Sequence, residues 1–347
     1  MTARRLTAAC AALLLWLQLL PGLAQGSFTV AEDTPAPVLP LAPTPVPAET
    51  PAPFTAWPAL DEAGFLPAPL SEDAPAFIFV DEEEGRWIYI DQDLKVQIER
   101  HRLKVRYKWV YYFISHIYFR NDTIFRAWCK DPADPAKGRD KPENIARQHD
   151  LVYAQNGDLF TWRIEEKRYP GLIIRDGKIV REQTYSKANS NIPPLDELSL
   201  YPDGHMEVRT PGELTGADYL QRGALDVFAF GPLLLRDGEK DPRPYGNFQH
   251  LEPRSAIGQV APGHFVGIMV EGRNKRSAGA GLPFVQDRLL EQGCHTAFTL
   301  DGGQTAAMVF MGRTVMDPGT YNGYTKTRRQ PDVIGIGVST QAVPGWE

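Results

Sequence analysis

The sequence predicts an α+β fold. The expected architecture is a single large domain with a mixed, mostly antiparallel sheet and few helices, preceded by a signal peptide and a Pro-rich spacer. Three observations carry that expectation. From Arg86 to Trp128, aromatic and β-branched residues alternate with charges, the period-two pattern of half-buried strands. Two apolar runs, Leu172-Ile173-Ile174 and Leu233-Leu234-Leu235, each lead through one Arg into Asp-Gly, a strong short-range hairpin signal. Only Leu282 to Gln292 reads clearly as a helix, with Pro283 near its start and Gly293 as its stop.

The amino-terminal residues read as an export signal. Arg4 and Arg5 precede an apolar run from Ala8 to Leu20, which is short for a membrane span. Small residues around Ala24 suggest cleavage there and a signal over 1–24, with an uncleaved anchor as the alternative. Cys10 lies before most of the apolar run, the wrong place for a lipoprotein box. Residues 25–75 read as a spacer, because 12 of the 30 prolines fall between 31 and 75. Such a segment favours polyproline II and buries little. The expected protein is therefore secreted or tethered to a cell surface, with its domain over 76–347 and no transmembrane segment beyond the signal.

Within the domain, Trp87 to Ile90, Val96 to Ile98 and Trp109 to Phe119 read as strands. The turn-rich stretch Asp131 to Pro142 leads into a short helix at Glu143 to Gln148, with Pro142 at its start. A strand from Leu151 to Ala154 ends at Asn156-Gly157. Asp176-Gly177 and Asp237-Gly238 are expected as hairpin turns. Phe265 to Val270 reads as a buried strand ending at Glu271. The helix would turn Val285, Leu289 and Leu290 to the core, and a strand from Ala297 to Leu300 would deliver Asp301.

The formal net charge of −6 argues against a nucleic-acid partner. The local basic stretch Arg100 to Lys108 alternates with apolar residues and reads as the wet face of a strand. Cys129 and Cys294 are compatible with one disulfide or with two buried thiols. There is no His-Glu-x-x-His, no Gly-x-Ser-x-Gly and no phosphate-loop lysine motif.

The most informative segment is Thr299-Leu300-Asp301-Gly302-Gly303-Gln304-Thr305. Two glycines after an Asp expose backbone N–H groups and let a ligand approach closely. A polar turn between strands is the plainer reading of the segment alone. Upstream stand Asn156-Gly157-Asp158-Leu159-Phe160, Gly171 to Gly177, Phe230-Gly231-Pro232, Pro253-Arg254-Ser255-Ala256-Ile257-Gly258 and Glu271-Gly272-Arg273. Arg329 follows downstream.

Together, in this order and over roughly residues 85–340, these motifs resemble the phosphodiester glycosidase family. Two positions depart from its pattern. The usual third Gly and Ser after Asp-Gly-Gly are Gln304 and Thr305, and a Ser, Ser255, follows Pro-Arg. The resemblance implies a hydrolase that cleaves a sugar-1-phosphodiester, such as an N-acetylglucosamine-1-phosphodiester, in an envelope or host glycan.

Glycosidic cleavage calls for an acid and a group that activates water or traps the sugar cation, commonly two carboxylates. Asp301 and Glu271 are the expected catalytic pair, with pairing of Glu271 to Arg273 as the structural alternative. Arg254 with Ser255 is expected to grip phosphate oxygens, and Arg329 is a second cation, with Arg328 beside it. Gly302, Gly303, Gln304 and Thr305 would hold phosphate or sugar oxygens. Asn156 and Asp158 complete the expected substrate set, although Asn156 could simply cap a turn. No cofactor or metal is expected, while the carboxylates of Asp301, Glu271 and Asp158 leave a divalent cation open. The expected partner is a glycan or sugar-phosphodiester substrate, and the sequence leaves the oligomeric state open. The rival reading is a glycan- or phosphopolymer-binding module at the cell surface, kept alive by Gln304 and Thr305.

Overall fold

The computed structural model describes residues 57–105, 107–182, 193–243 and 246–346. The expected signal and most of the expected spacer lie outside these residues. Among the described residues, no helix is long and apolar enough to cross a membrane.

The largest sheet has nine strands. In spatial order they are Phe77–Asp81, Arg86–Ile90, Leu94–Val105, Lys108–Phe119, His264–Val270, Arg254–Ala261, Thr296–Leu300, Leu233–Arg236 and Glu239–Lys240. A five-stranded sheet orders Met206–Arg209, Asp196–Leu200, Asp226–Phe230, Ile173–Arg175 and Lys178–Arg181. A second orders Arg313–Thr314, Met308–Phe310, Leu151–Asn156, Asp332–Val338 and Arg126–Cys129. Neighbouring strands pair antiparallel throughout, so the fold holds several antiparallel sheets rather than the one mixed sheet expected.

The sequence pattern explains the layering. Leu94, Val96 and Ile98 are buried on one face while Lys95, Gln97 and Glu99 between them are wetter, as period-two alternation requires. Val96, Ile98, Phe113 and Ile117 meet Tyr153, Phe310 and Ile334 from one five-stranded sheet, and Leu198 and Phe228 from the other, in a shared core. The three sheets therefore bury their apolar faces against one another. The far face of the large sheet packs under the helix Leu282–Glu291, through Ile268, Val285 and Leu289.

The hairpin expectations hold. Arg175 pairs with Lys178 and Arg236 with Glu239 across turns whose Asp-Gly residues all have positive φ. Two adjacent left-handed positions give the two-residue turn whose twist matches the flanking strands. The helices Pro142–Gln148 and Leu282–Glu291 also form where expected. Two more short helices, Phe160–Glu165 and Gly216–Gln221, were not anticipated, although Thr215 and Asp218 cap the second reciprocally.

Two expectations need correction, and one open alternative is decided. Leu290 is exposed, because Leu282, Val285, Gln286 and Leu289 occupy the buried stripe and Leu290 lies about 100° further round. Packing among the described residues reaches further back than 76: the Trp57 ring lies tilted against Phe77 and Phe79, and Phe65 and Leu66 are buried. Cys129 and Cys294 are unpaired and buried, and desolvation pushes both thiols up to about 12.

Candidate active site

Strand register brings the motif residues to one end of the large sheet. Arg254 pairs with Val270 and Ser255 pairs with Leu300. Glu271, Arg254 and Asp301 therefore stand at the same end of three adjacent strands. Glu271 and Asp301 follow strands separated by one other, so their backbones lie about 10 Å apart. The strand Leu151–Asn156 of the neighbouring sheet ends at the same place, because Asn156 binds the Asp301 backbone.

Asn156 holds the Asp301 loop. Its side-chain amide donates to the carbonyls of Asp301 at 2.7 Å and Gly157 at 2.9 Å, and its oxygen accepts from Ala307 N–H at 3.1 Å. The backbone N–H of Asp301 in turn donates to Gly157 at 3.3 Å. Asn156 is fully buried, and its hydrogen bonds clamp both ends of the loop.

The two glycines serve approach and shape. A side chain on Gly302 would meet the Pro253 carbonyl at 2.6 Å. Gly303 has a φ of +62° and lies against the Arg273 guanidinium. Its N–H, expected to be free for a ligand, donates to Pro253 O at 2.9 Å. Gly302 N–H has no protein acceptor among the described residues.

Asp301 is the least satisfied carboxyl here. Desolvation pushes it up to about 6 from an ordinary 3.8, with Asp158 adding to the rise. Thr305, Arg328 and Arg163 partly offset that rise. The Thr305 hydroxyl lies close enough to act on the carboxyl yet outside strict hydrogen-bond geometry. Asp301 retains some solvent exposure, and no cation pairs with it directly among the described residues. Every other carboxyl expected in the site is occupied.

Glu271 is the clearest case. It is fully buried, ion-paired to Arg276, and accepts the Asp317 N–H at 2.8 Å. The expected catalytic partner of Asp301 is thus a buried carboxylate held by the partly exposed Arg276, a pair that anchors the loop 272–277. Arg273, its expected structural partner, binds Glu252 instead. Asp158 is likewise fully buried between Arg163 at 3.3 Å and Arg175 at 3.4 Å, and accepts the Ala229 N–H. Among the described residues no three of His, Cys, Asp and Glu converge as a cation site would require.

The expected phosphate grip is also reassigned. Arg254 is buried, and its guanidinium donates to the carbonyls of Ala280, Phe248 and His250. Burial without a carboxylate partner pulls it down to about 10. It ties the loop 246–250 to the sheet. Ser255 is fully buried and accepts from Gln155, within a polar chain that runs through Tyr153 to Ser115. Arg329 is exposed and reaches Asp140. Its neighbour Arg328 carries the charge that acts on Asp301.

Gln304 bonds the Tyr324 carbonyl through its amide and accepts the Arg328 N–H on its backbone oxygen. Thr305 is buried, and its carbonyl accepts from Gln330. These contacts hold the segment that carries Arg328 against the loop. The residues gathered at this end are Asp301, Gly302, Gln304 and Thr305, with the Arg328 charge acting on Asp301 and Arg273, paired to Glu252, against Gly303. Arg273 was legible as part of Glu-Gly-Arg, but nothing local placed it beside Gly303. A separate cavity of about 260 Å3 lies beside Leu151, at the other end of the strand that Asn156 closes.

Comparison with known proteins identifies the family. Residues 149–337 match the phosphodiester glycosidase family, and the chain belongs to it. An uncharacterized SPbeta prophage-derived protein of Bacillus subtilis (strain 168), YomE, is 31% identical over 148 residues. That match covers 42% of this chain and 22% of the relative, so the chain spans about a fifth of the relative's length. Among solved structures, one is similar with a TM-score of 0.55 and 22% identity, over 71% of this chain and 84% of the other. It is the catalytic domain of zebrafish N-acetylglucosamine-1-phosphodiester alpha-N-acetylglucosaminidase, auto-inhibited by its pro-peptide. At that identity the likeness speaks for the fold.

Proposed function

We propose that this protein hydrolyses the glycosidic bond of a sugar-1-phosphodiester, with Asp301 as its reactive carboxyl. The observation that carries this reading is the contrast among carboxylates at the sheet end. Glu271, Glu252 and Asp158 are each held by an arginine, while Asp301 has no direct cation among the described residues and is raised to about 6. A carboxyl left in that state within an otherwise neutralised cluster fits acid–base chemistry.

The substrate suits a site with one free carboxyl and two arginines. A sugar-1-phosphodiester departs as a phosphomonoester, a stable anion whose second ionisation lies near pH 6. Its departure depends on charge stabilisation more than on protonation. Arg328 supplies that charge, Arg273, shared with Glu252, lies beside Gly303, and the N–H of Gly302 supplies a donor. Ionised Asp301 activates water at the anomeric carbon or stabilises the developing oxocarbenium ion. The C1–O bond breaks, the electron pair leaves on the phosphate oxygen, and water supplies the hydroxyl to carbon. In this reading the protein acts outside the cytoplasm on an envelope or host glycan, consistent with the basic and apolar run from Arg4 to Leu20.

The test incubates the protein and its Asp301→Asn variant with N-acetylglucosamine-1-phosphodiester compounds in 18O-labelled water. Free sugar carrying the label, released by the parent alone, is expected. Label in the phosphate would show P–O cleavage and overturn the mechanism. Full turnover by Asp301→Asn would remove Asp301 from the site.

A further inference from the structure

The basic stretch Arg100 to Lys108 takes no part in the proposed chemistry, yet it forms a distinct feature. The strands Leu94–Val105 and Lys108–Phe119 are each 12 residues long and outrun their neighbours. Pairing with the strand Arg86–Ile90 ends at Glu99, and pairing with His264–Val270 ends at Tyr112. Beyond those points the ladder continues as two strands only, Leu103 opposite Val110, Lys104 opposite Trp109 and Val105 opposite Lys108. The Ala278 N–H bonds Trp109 O at 2.9 Å and Ser277 bonds the Tyr111 N–H at 3.0 Å, which fixes the base of this arm.

The tip is both apolar and cationic. Tyr107 is 96% exposed, and Leu103, Val105 and Trp109 are each 42% exposed. No Asp or Glu occurs between Glu99 and Asp122, while Arg102, Lys104, Arg106 and Lys108 fall within seven residues. Arg102 and Lys104 lie over the Trp109 ring at 5.4 and 5.9 Å. Among the described residues no carboxylate pairs with Arg102, Lys104 or Lys108. A protein of net charge −6 thus concentrates unpaired positive charge on one apolar tip.

We propose that this arm docks the protein on an anionic lipid bilayer. Cations spaced along a surface element match lipid phosphates, and Trp and Tyr favour the headgroup level. Exposed Leu103 and Val105 point to a bilayer over a polysaccharide, since aliphatic tips gain from entering the acyl boundary. The arm extends past Tyr112, which pairs with Val270, so it leaves the sheet at the end that carries Glu271 and the Asp301 loop. Docking would present that end of the molecule to the same surface.

The test measures partition of the full chain onto vesicles of phosphatidylcholine alone and of phosphatidylcholine mixed with phosphatidylglycerol. Binding to the mixed vesicles that weakens with added salt is expected. Lys104→Gln and Lys108→Gln should each reduce partition about fivefold. Leu103→Ser with Tyr107→Ser should reduce it further, and unchanged thermal unfolding would show that these exposed changes leave the fold intact. Equal partition of parent and arm variants would overturn the proposal and assign binding to the apolar segment near the amino terminus. Equal binding to neutral and anionic vesicles would overturn the charge argument. Loss of self-association in light scattering, without vesicle binding by the parent, would identify the arm as a contact between copies of this chain.

Discussion

Replacing Asp301 by Asn should make the protein more stable at neutral pH while removing its activity. The carboxyl sits at about 6 against an ordinary 3.8, mainly through desolvation. The native state then binds more protons than the unfolded chain between those pH values. Stability associated with this group is complete below pH 3.8 and is lost as pH rises through about 6. At 1.36 kcal/mol per pH unit, the difference caps the cost of ionised Asp301 at about 3 kcal/mol. Partial solvent access reduces it to about 1–2 kcal/mol. An amide at this position carries no charge and avoids that cost. Urea unfolding of parent and Asp301→Asn from pH 4 to pH 8 should show a gap that opens as pH rises, in favour of the variant. Turnover of a sugar-1-phosphodiester should fall by about 100-fold or more. A gap independent of pH, or a variant less stable at pH 7, would refute the claim that desolvation raises this carboxyl.

Arg328→Gln should move the rising limb of the pH–rate profile to higher pH, because Arg328 holds the Asp301 pKa down and its loss lets it rise, whereas Arg329→Gln should leave it in place. Asn156→Ala breaks contacts to Asp301, Gly157 and Ala307; chemical denaturation should show a loss of about 2–3 kcal/mol, with kcat falling more than KM rises. Gly302→Ala places a methyl group 2.6 Å from the Pro253 carbonyl. It should depress kcat/KM at least tenfold, and circular dichroism should show the fold retained.

Much of the fold was legible because it rests on local chemistry. The Asp176-Gly177 and Asp237-Gly238 turns form hairpins since both residues of each turn adopt positive φ. The helix Leu282–Glu291 follows from Pro283 and Gly293 at its ends. Asp301 was legible because a carboxyl before two glycines has little use in a core. The partnering of charges was not legible. Glu271 is bound by Arg276 rather than by Arg273, three residues nearer in sequence. Arg254 spends its donors on three backbone carbonyls. The choice between Arg328 and Arg329 depended on which faces inward where the 326–330 segment crosses the Asp301 loop.

The sequence by itself determined several of the strands, the hairpin turns, the two longest helices and the Asp-Gly-Gly loop, because each depends on residues within a few positions of one another. Only the tertiary structure decided that Leu290 faces water, that residues 57–75 belong to the packed domain, and that Asp301 alone among the motif carboxylates escapes an arginine. Those outcomes depend on strand register and on ion pairs between segments such as Asp158 and Arg175, which no local pattern encodes. Burial and pairing are set by what the rest of the chain brings alongside, and that sum is fixed only when the sheets close on one another.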